Sequence, residues 1–178
     1  MRPNRIRHNG RSASGISLGT TAIQALDFTF RKIVRDRGEA LAHVASQLTR
    51  TIENCDEALR PQADLLQTAL NDVQAMTATL TGCLMAAAEN PTEIYKVGLA
   101  SVRFLLAVGD LIIGWRLLVQ AGVARAALAG SPSDEAFYQG KIATATFFAT
   151  NMLPKLTALR GIVEKLDDDI TRIPESAF

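Results

Sequence analysis

One segment limits the fold of this chain more than any other: residues 93–129 are apolar on nearly every side of a predicted helix. Before it, Asn90-Pro91-Thr92-Glu93 offers a capping residue, a proline and an acidic residue at positions that begin helices. After it, Gly130-Ser131-Pro132 ends the helical pattern. A helix that is apolar all round is buried by its neighbours. The segment therefore predicts a central helix roughly 50 Å long.

The rest of the chain repeats apolar residues at the helical period and nowhere alternates as a strand does. Separate apolar stripes run over residues 23–34, 41–52, 66–84 and 145–166. Short turns between such long helices make neighbouring helices antiparallel. The sequence therefore predicts an all-α fold, an antiparallel bundle of about four to five long helices.

Local signals predict where several helices begin and break. Thr21 followed by Gln24 fits a capping box at the start of the first helix, and Pro61 suits the first turn of a later one. Gly38 predicts a break or bend, because glycine commonly follows a helix end, and Pro154 predicts a kink in the last helix, because proline lacks the N–H that a helix interior needs.

The N-terminal segment differs from the rest of the chain. Residues 1–16 contain four arginines and no acidic residue, whereas the whole chain has a net charge of +1, which leaves −3 for the remainder. With Pro3 and Gly10 and few large apolar side chains, this segment predicts a disordered basic arm. We divide the chain into the arm (1–16), a first helical part (17–56), a C-terminal helical bundle (57–170) and a tail (171–178).

Composition and charge exclude several classes of function. Hydrophobic residues make up 48% of the chain and its net charge is small, which argues against a disordered protein and against a nucleic-acid-binding one. Arg103, Asp110 and Arg116 interrupt the apolar segment, so we expect no membrane span. Arg103 and Asp110 lie on one face of the helix, and they predict either an ion pair to a neighbouring helix or a buried polar group that binds a ligand.

Motifs that carry chemistry are missing from the sequence. The two histidines and two cysteines show no metal-ligand spacing, and no GxSxG, GxGxxG or Walker motif occurs. Cys55 and Cys83 predict free thiols in a reducing compartment, hence a cytoplasmic location. The pairs Phe137-Tyr138 and Phe147-Phe148 are expected in the core. From the residues alone we predict no catalytic residue and no metal site.

Two stretches nevertheless resemble the acyl-CoA dehydrogenase family. The first runs from Gly19-Thr20-Thr21-Ala22-Ile23-Gln24 to Asp27 and on to Arg31-Lys32-Ile33. It is similar to the family segment Tyr-Glu-Gly-Thr-x-x-Ile-Gln-x-x-Asp, which precedes a C-terminal helix of the catalytic core. The second runs from Asp134 through Lys141 to Leu153-Pro154, and resembles the extra C-terminal helical domain of the larger members. Together the resemblance covers about 17–178.

The resemblance implies FAD-dependent oxidation of an acyl-CoA thioester, in which a glutamate takes the α proton and FAD takes the β hydride. That glutamate precedes the Gly-Thr pair, a position that Leu18 occupies here. Leucine has no ionisable group and cannot act as a general base, so no catalytic residue carries over. Thr20 and Gln24 carry over as cofactor-binding residues for FAD, with the capping role as the alternative for this part of the chain.

Family members place an N-terminal helical domain and a β domain before this region, and those domains build most of the flavin and thioester site. We therefore expect an inactive C-terminal helical fragment that does not bind FAD alone, either a gene remnant or part of an assembly. The alternatives are a non-catalytic bundle that docks on a full-length acyl-CoA dehydrogenase, a half-site completed by another chain, and an unrelated helical interaction module. The expected partners are acyl-CoA dehydrogenase-like subunits in a homo- or hetero-oligomer, and acyl-CoA only if another chain completes the site.

Overall fold

The structure is a computed structural model that describes residues 13–36, 38–131 and 133–177. Within these residues all regular structure is helical and no strand occurs, so the predicted all-α bundle is confirmed. Its α-helices are α1 (Ala13–Asp27), α2 (Glu39–Glu53), α3 (Arg60–Ala86), α4 (Glu93–Leu128), α5 (Glu135–Asn151) and α6 (Lys155–Glu164). A π-helix, Phe28–Val34, continues α1, and short 3₁₀ turns span Glu57–Leu59, Asp169–Arg172 and Glu175–Ala177.

Helix α4 lies at the centre of the bundle, as its sequence predicts. Its most extensive contacts are with α5 and α3, and it also contacts α1, α2 and α6. Phe104, Leu111 and Leu118 are buried on its inner side within one continuous core. By length and composition, α4 alone among the described helices could cross a membrane. A core helix meets the same criteria, and 44% of its apolar window is buried inside the bundle.

The predicted break at Gly38 is confirmed, and at Pro154 the structure shows a full break between two helices rather than the predicted kink. Gly38 has a φ of +76°, the left-handed conformation that glycine adopts without a steric penalty, and its N–H donates to the carbonyl of Ile33. The last helical stretch divides into α5 and α6, which begins directly after Pro154. The turn between them directs Leu153 into the core, where it is 2% exposed.

The capping box predicted at Thr21 and Gln24 is wrong. Helix α1 begins at Ala13, so both residues lie in its interior. A capping box satisfies N–H groups that have no carbonyl in the preceding turn, and here the preceding residues are helical. Of the arm predicted over 1–16, residues 1–12 lie outside the described residues and residues 13–16 form the first turn of α1.

The predicted burial of the two aromatic pairs is wrong for one member of each pair. Phe137 and Phe147 are 60% and 64% exposed, whereas Phe148 packs against the core. Phe137 instead packs edge-on against Tyr138 and lies beneath the Lys141 ammonium group. Within the described part of the chain, neither Arg103 nor Asp110 forms the predicted ion pair to a neighbouring helix. The Arg103 side chain is exposed and donates to the carbonyl of Leu99, and Asp110, the candidate buried polar group, is half-buried.

A buried carboxylate joins α3 to α6. Asp72 is only 3% exposed, and its oxygens accept a hydrogen bond of 2.6 Å from the Thr157 hydroxyl and one of 3.4 Å from the Arg160 guanidinium. Arg160 also pairs with Glu164 at 2.7 Å. A buried polar group without partners destabilises a fold, so this network fixes the position of α6 on α3.

We expect Asp72→Ala to lower the free energy of unfolding by about 1–3 kcal/mol, because the Thr157 hydroxyl and Arg160 lose their shared acceptor. Urea denaturation measures the change. Asp64→Ala is the matched control, since Asp64 is an exposed carboxylate on the same helix, and we expect a change below about 0.5 kcal/mol there. Equal effects of the two substitutions would contradict this role for Asp72.

Gly114 provides a second test of the packing. A Cβ atom at Gly114 would lie 2.9 Å from Leu153 Cδ2 and 3.4 Å from Leu66 Cδ1, whereas one at Gly122 meets no atom within 4 Å. We expect Gly114→Val to destabilise the protein by about 1–3 kcal/mol through overpacking. Gly122→Val, on the same helix, should change the stability by less than about 0.5 kcal/mol. Thermal and urea unfolding measure the stability of both variants. Equal losses of stability in the two would contradict this prediction.

Candidate functional site

The two predicted cofactor-binding residues lie on the outer face of α1. Thr20 and Gln24 are four residues apart, hence on one side of the helix, and both are exposed. Ile23 lies beside them and is 70% exposed. On the other side of this segment, Ala25 and Thr29 are buried, and α1 packs there against α4. The structure therefore brings Thr20 and Gln24 together on an open surface rather than in an enclosed pocket.

The position of the expected catalytic base lies in the same helix. Leu18 belongs to α1, two residues before Thr20, and its side chain type provides no proton acceptor. The first acidic residue of the chain is Asp27, and its carboxylate already pairs with Arg31 at 2.7 Å. Neither residue supplies a free base on the face that holds Thr20 and Gln24.

A cavity of about 470 Å³ opens next to this segment, between the π-helix, α3 and α4. Its lining is mostly aliphatic and includes Phe104 of α4. Three threonine hydroxyls also face it, but Thr29, Thr77 and Thr81 each donate to a carbonyl of their own helix. The surface of the cavity is therefore mostly apolar, and its three hydroxyl groups already donate their hydrogen bonds to backbone carbonyls.

The cavity does not fit FAD. The pyrophosphate of FAD requires cationic side chains or free backbone N–H groups at a helix N-terminus. The lining residues are Thr29, Ile33, Gly38, Thr77, Leu80, Thr81, Leu84, Met85 and Phe104. None of them is basic, and Thr20 and Gln24 are not among them. The lining of this cavity thus supplies no group that could hold the pyrophosphate.

The remaining titratable groups suggest no second centre of chemistry in the described part of the chain. Cys55 and Cys83 are free and half-buried, and burial raises the pKa of both thiols, which makes them less reactive. No group of three or more histidine, cysteine, aspartate or glutamate residues lies close enough to hold a metal ion among the described residues. The Asp56 carboxylate accepts from Arg125 at 2.9 Å, which holds the pKa of Asp56 below its ordinary value and joins the α2–α3 connection to the end of α4.

Sequence reasoning missed the cavity beside α1. The π-helix that forms one wall has no signal in the spacing of apolar residues, since its residues continue the stripe of α1. Gly38 is the one sequence signal near this cavity, because it marks the break that follows the π-helix and it lines the edge of the cavity.

Comparison with known proteins adds to this geometry. A family profile described as "Acetyl-CoA dehydrogenase C-terminal like" matches residues 38–174. The broad-specificity linear acyl-CoA dehydrogenase FadE5 of Mycobacterium tuberculosis is 57% identical over 164 residues, which cover 90% of this chain and 27% of that protein. The 3-methylmercaptopropionyl-CoA dehydrogenase of Ruegeria pomeroyi is 33% identical over 85% of this chain and 25% of its own length. A butyryl-CoA dehydrogenase of Syntrophomonas wolfei is 30% identical over 90% of this chain and 26% of its own length. The chain therefore spans about a quarter of the length of these curated relatives.

Proposed function

The chain belongs to the acyl-CoA dehydrogenase family, and on that premise we propose that it forms the C-terminal helical region of an FAD-dependent acyl-CoA dehydrogenase. In this proposal the chain oxidises no thioester and holds no FAD alone. It contributes Thr20 and Gln24 to a flavin site that other domains of the family build. The observation that carries the proposal is the outer face of α1, where these two residues lie exposed beside Ile23.

In this proposal another domain covers the outer face of α1, which carries Ile23 beside Thr20 and Gln24. Ile23 gains free energy when a second surface excludes water from it, and the side chains of Thr20 and Gln24 can then bond to a ligand held at that boundary. The inner residues Ala25 and Thr29 keep α1 on the bundle, so the outer face stays available. We also propose a cytoplasmic location, because Cys55 and Cys83 are free and free thiols are typical of a reducing compartment.

A second candidate function follows from Leu18. If no other chain supplies the base, the region acts as a non-catalytic helical subunit that docks on a full-length acyl-CoA dehydrogenase through the face of α1. The absence of an ionisable group at this position favours that reading. The two functions differ in one measurable respect, because the first contributes to flavin retention and the second changes only assembly.

A chimera tests the flavin contribution. Residues 17–178 of this chain would replace the matching C-terminal region of the Mycobacterium tuberculosis relative, to which they are similar enough to fold together. We expect the purified chimera to retain FAD, and Thr20→Ala or Gln24→Ala to weaken FAD binding about 2- to 12-fold, the effect of one lost hydrogen bond. The measurement is flavin absorbance and fluorescence after dialysis.

Gln139→Ala is the matched control for Gln24→Ala, because Gln139 is an exposed glutamine on α5, away from α1. We expect it to leave FAD retention unchanged. Retention that is identical in the chimera and both α1 variants would favour the docking function, and so would co-purification of the isolated chain with the full-length relative. Stoichiometric FAD binding by the isolated chain would overturn the proposal.

Leu18→Glu tests the assignment of the base position. In the isolated chain we expect no acyl-CoA oxidation from this variant, since no flavin is held there. In the chimera the same substitution supplies a carboxylate at the position of the family's base, and we expect turnover to rise by at least about 100-fold over the Leu18 form. Dye reduction with a linear acyl-CoA measures both, and Leu18→Gln is the uncharged control. Turnover by the isolated variant, or none in the chimera, would contradict the assignment.

A further inference from the structure

The cavity between the π-helix, α3 and α4 runs from the surface of the bundle into its core. Its floor consists of buried residues, Thr29, Leu80 and Phe104. The Phe104 ring contacts the Phe28 ring of the π-helix, with 5.9 Å between the two centroids. The rim lies at the surface, where Met85 is 73% exposed. A molecule that enters beside Met85 therefore meets an apolar floor at Phe104.

This cavity holds water poorly. Its volume of about 470 Å³ equals that of about 15 water molecules in the liquid, at about 30 Å³ each. An ordered buried water needs about two to four polar partners, and among the described lining residues only three threonines have a polar side chain. An apolar ligand displaces such weakly held water favourably. One wall is also a π-helix, a rare element that is frequent at functional sites.

The three threonine hydroxyls can accept a hydrogen bond from a ligand, but they have none left to donate. Thr29 donates to the carbonyl of Ala25 at 2.9 Å, and Thr77 donates to that of Val73 at 2.8 Å. Thr81 donates to the carbonyl of Thr77 at 2.8 Å. A hydroxyl oxygen that has donated its hydrogen keeps a lone pair for one further donor. The lining therefore suits a ligand with an O–H group, whereas a carboxylate, an ether or a thioester carbonyl only accepts and finds no donor.

We propose that this cavity binds a medium-chain primary alcohol. The aliphatic chain packs on Leu80 and Phe104, and the hydroxyl group donates to Thr81 Oγ1 at the rim, where Thr81 is exposed. None of the described lining residues is charged, so the lining compensates a neutral ligand better than a charged one. The inference goes beyond the proposed function and does not rest on it, since neither Thr20 nor Gln24 lines the cavity.

The test is isothermal titration calorimetry of the full 178-residue chain with matched ligands. We expect 1-octanol to bind, and 1-hexanol to bind about 15-fold more weakly because it lacks two buried methylene groups. The ether 1-methoxyheptane is an isomer of 1-octanol that accepts a hydrogen bond but cannot donate one. It should bind about 2- to 12-fold more weakly than 1-octanol, and octanoate at least about tenfold more weakly.

Thr81→Val tests the hydrogen bond, because valine keeps the shape of threonine and removes the hydroxyl group. We expect this variant to bind 1-octanol about 2- to 12-fold more weakly and 1-methoxyheptane as tightly as before. Thr68→Val is the matched control, since Thr68 is an exposed threonine of the same helix that donates to the carbonyl of Asp64 and does not line the cavity. It should leave the binding of both ligands unchanged.

Leu84→Trp tests the location of the ligand by filling the cavity, and we expect it to abolish the binding of 1-octanol. Leu65→Trp is its control, because Leu65 is a half-buried leucine of the same helix outside the cavity lining, and it should bind 1-octanol normally. Circular dichroism confirms that each variant is folded. A wild-type chain that binds no 1-octanol, or that binds its ether isomer or octanoate equally well, would overturn the inference. Normal binding by a folded Leu84→Trp variant would do the same.

Discussion

The burial of α4 is the interaction on which the rest of this structure depends. Its inner side contributes Phe104, Leu111 and Leu118 to the core, and α3 and α5 cover that side from two directions. Individual helices gain most of their stability from such packing rather than from intrinsic propensity. The position of α5 then determines where the chain turns at Leu153, whose side chain occupies the space left by Gly114. The location of α6, and of its link to the buried Asp72, follows from that turn.

The other helices of the bundle cover only part of the apolar surface of α4. The core uses one side of α4, while Leu106 and Ile113 on the other side remain exposed. The same excess appears at Ile23 on α1. Exposed apolar residues therefore lie on two different faces of the bundle, one on α4 and one on α1.

Sequence patterns predicted the parts of the fold that depend on local chemistry. The expected central helix over 93–129 agrees with α4 at Glu93–Leu128, and Gly38 and Pro154 mark real breaks. Predictions that depended on context were less successful. Thr21 and Gln24 have the residue types of a cap, but the preceding residues are helical. Phe137 and Phe147 are aromatic, yet a helix at the edge of a bundle has too few neighbours to bury every large side chain. For the candidate site, the positions of Thr20 and Gln24 on one face followed from their spacing, whereas the adjacent cavity depends on a π-helix that the apolar period does not reveal.

In the proposed function, the arrangement of α1 separates flavin contact from proton transfer. Thr20 and Gln24 are exposed on α1, and their side chains can donate or accept hydrogen bonds whatever residue occupies position 18. By the same proposal, proton abstraction would require an ionisable group at position 18, and leucine has none. Leucine at position 18 is compatible with the packing of α1 on α4, since Ala25 and, in the adjoining π-helix, Thr29 are buried on the inner side. In the proposed function such a region has a structural role in an assembly without a part in proton transfer, because different side chains would carry the two roles.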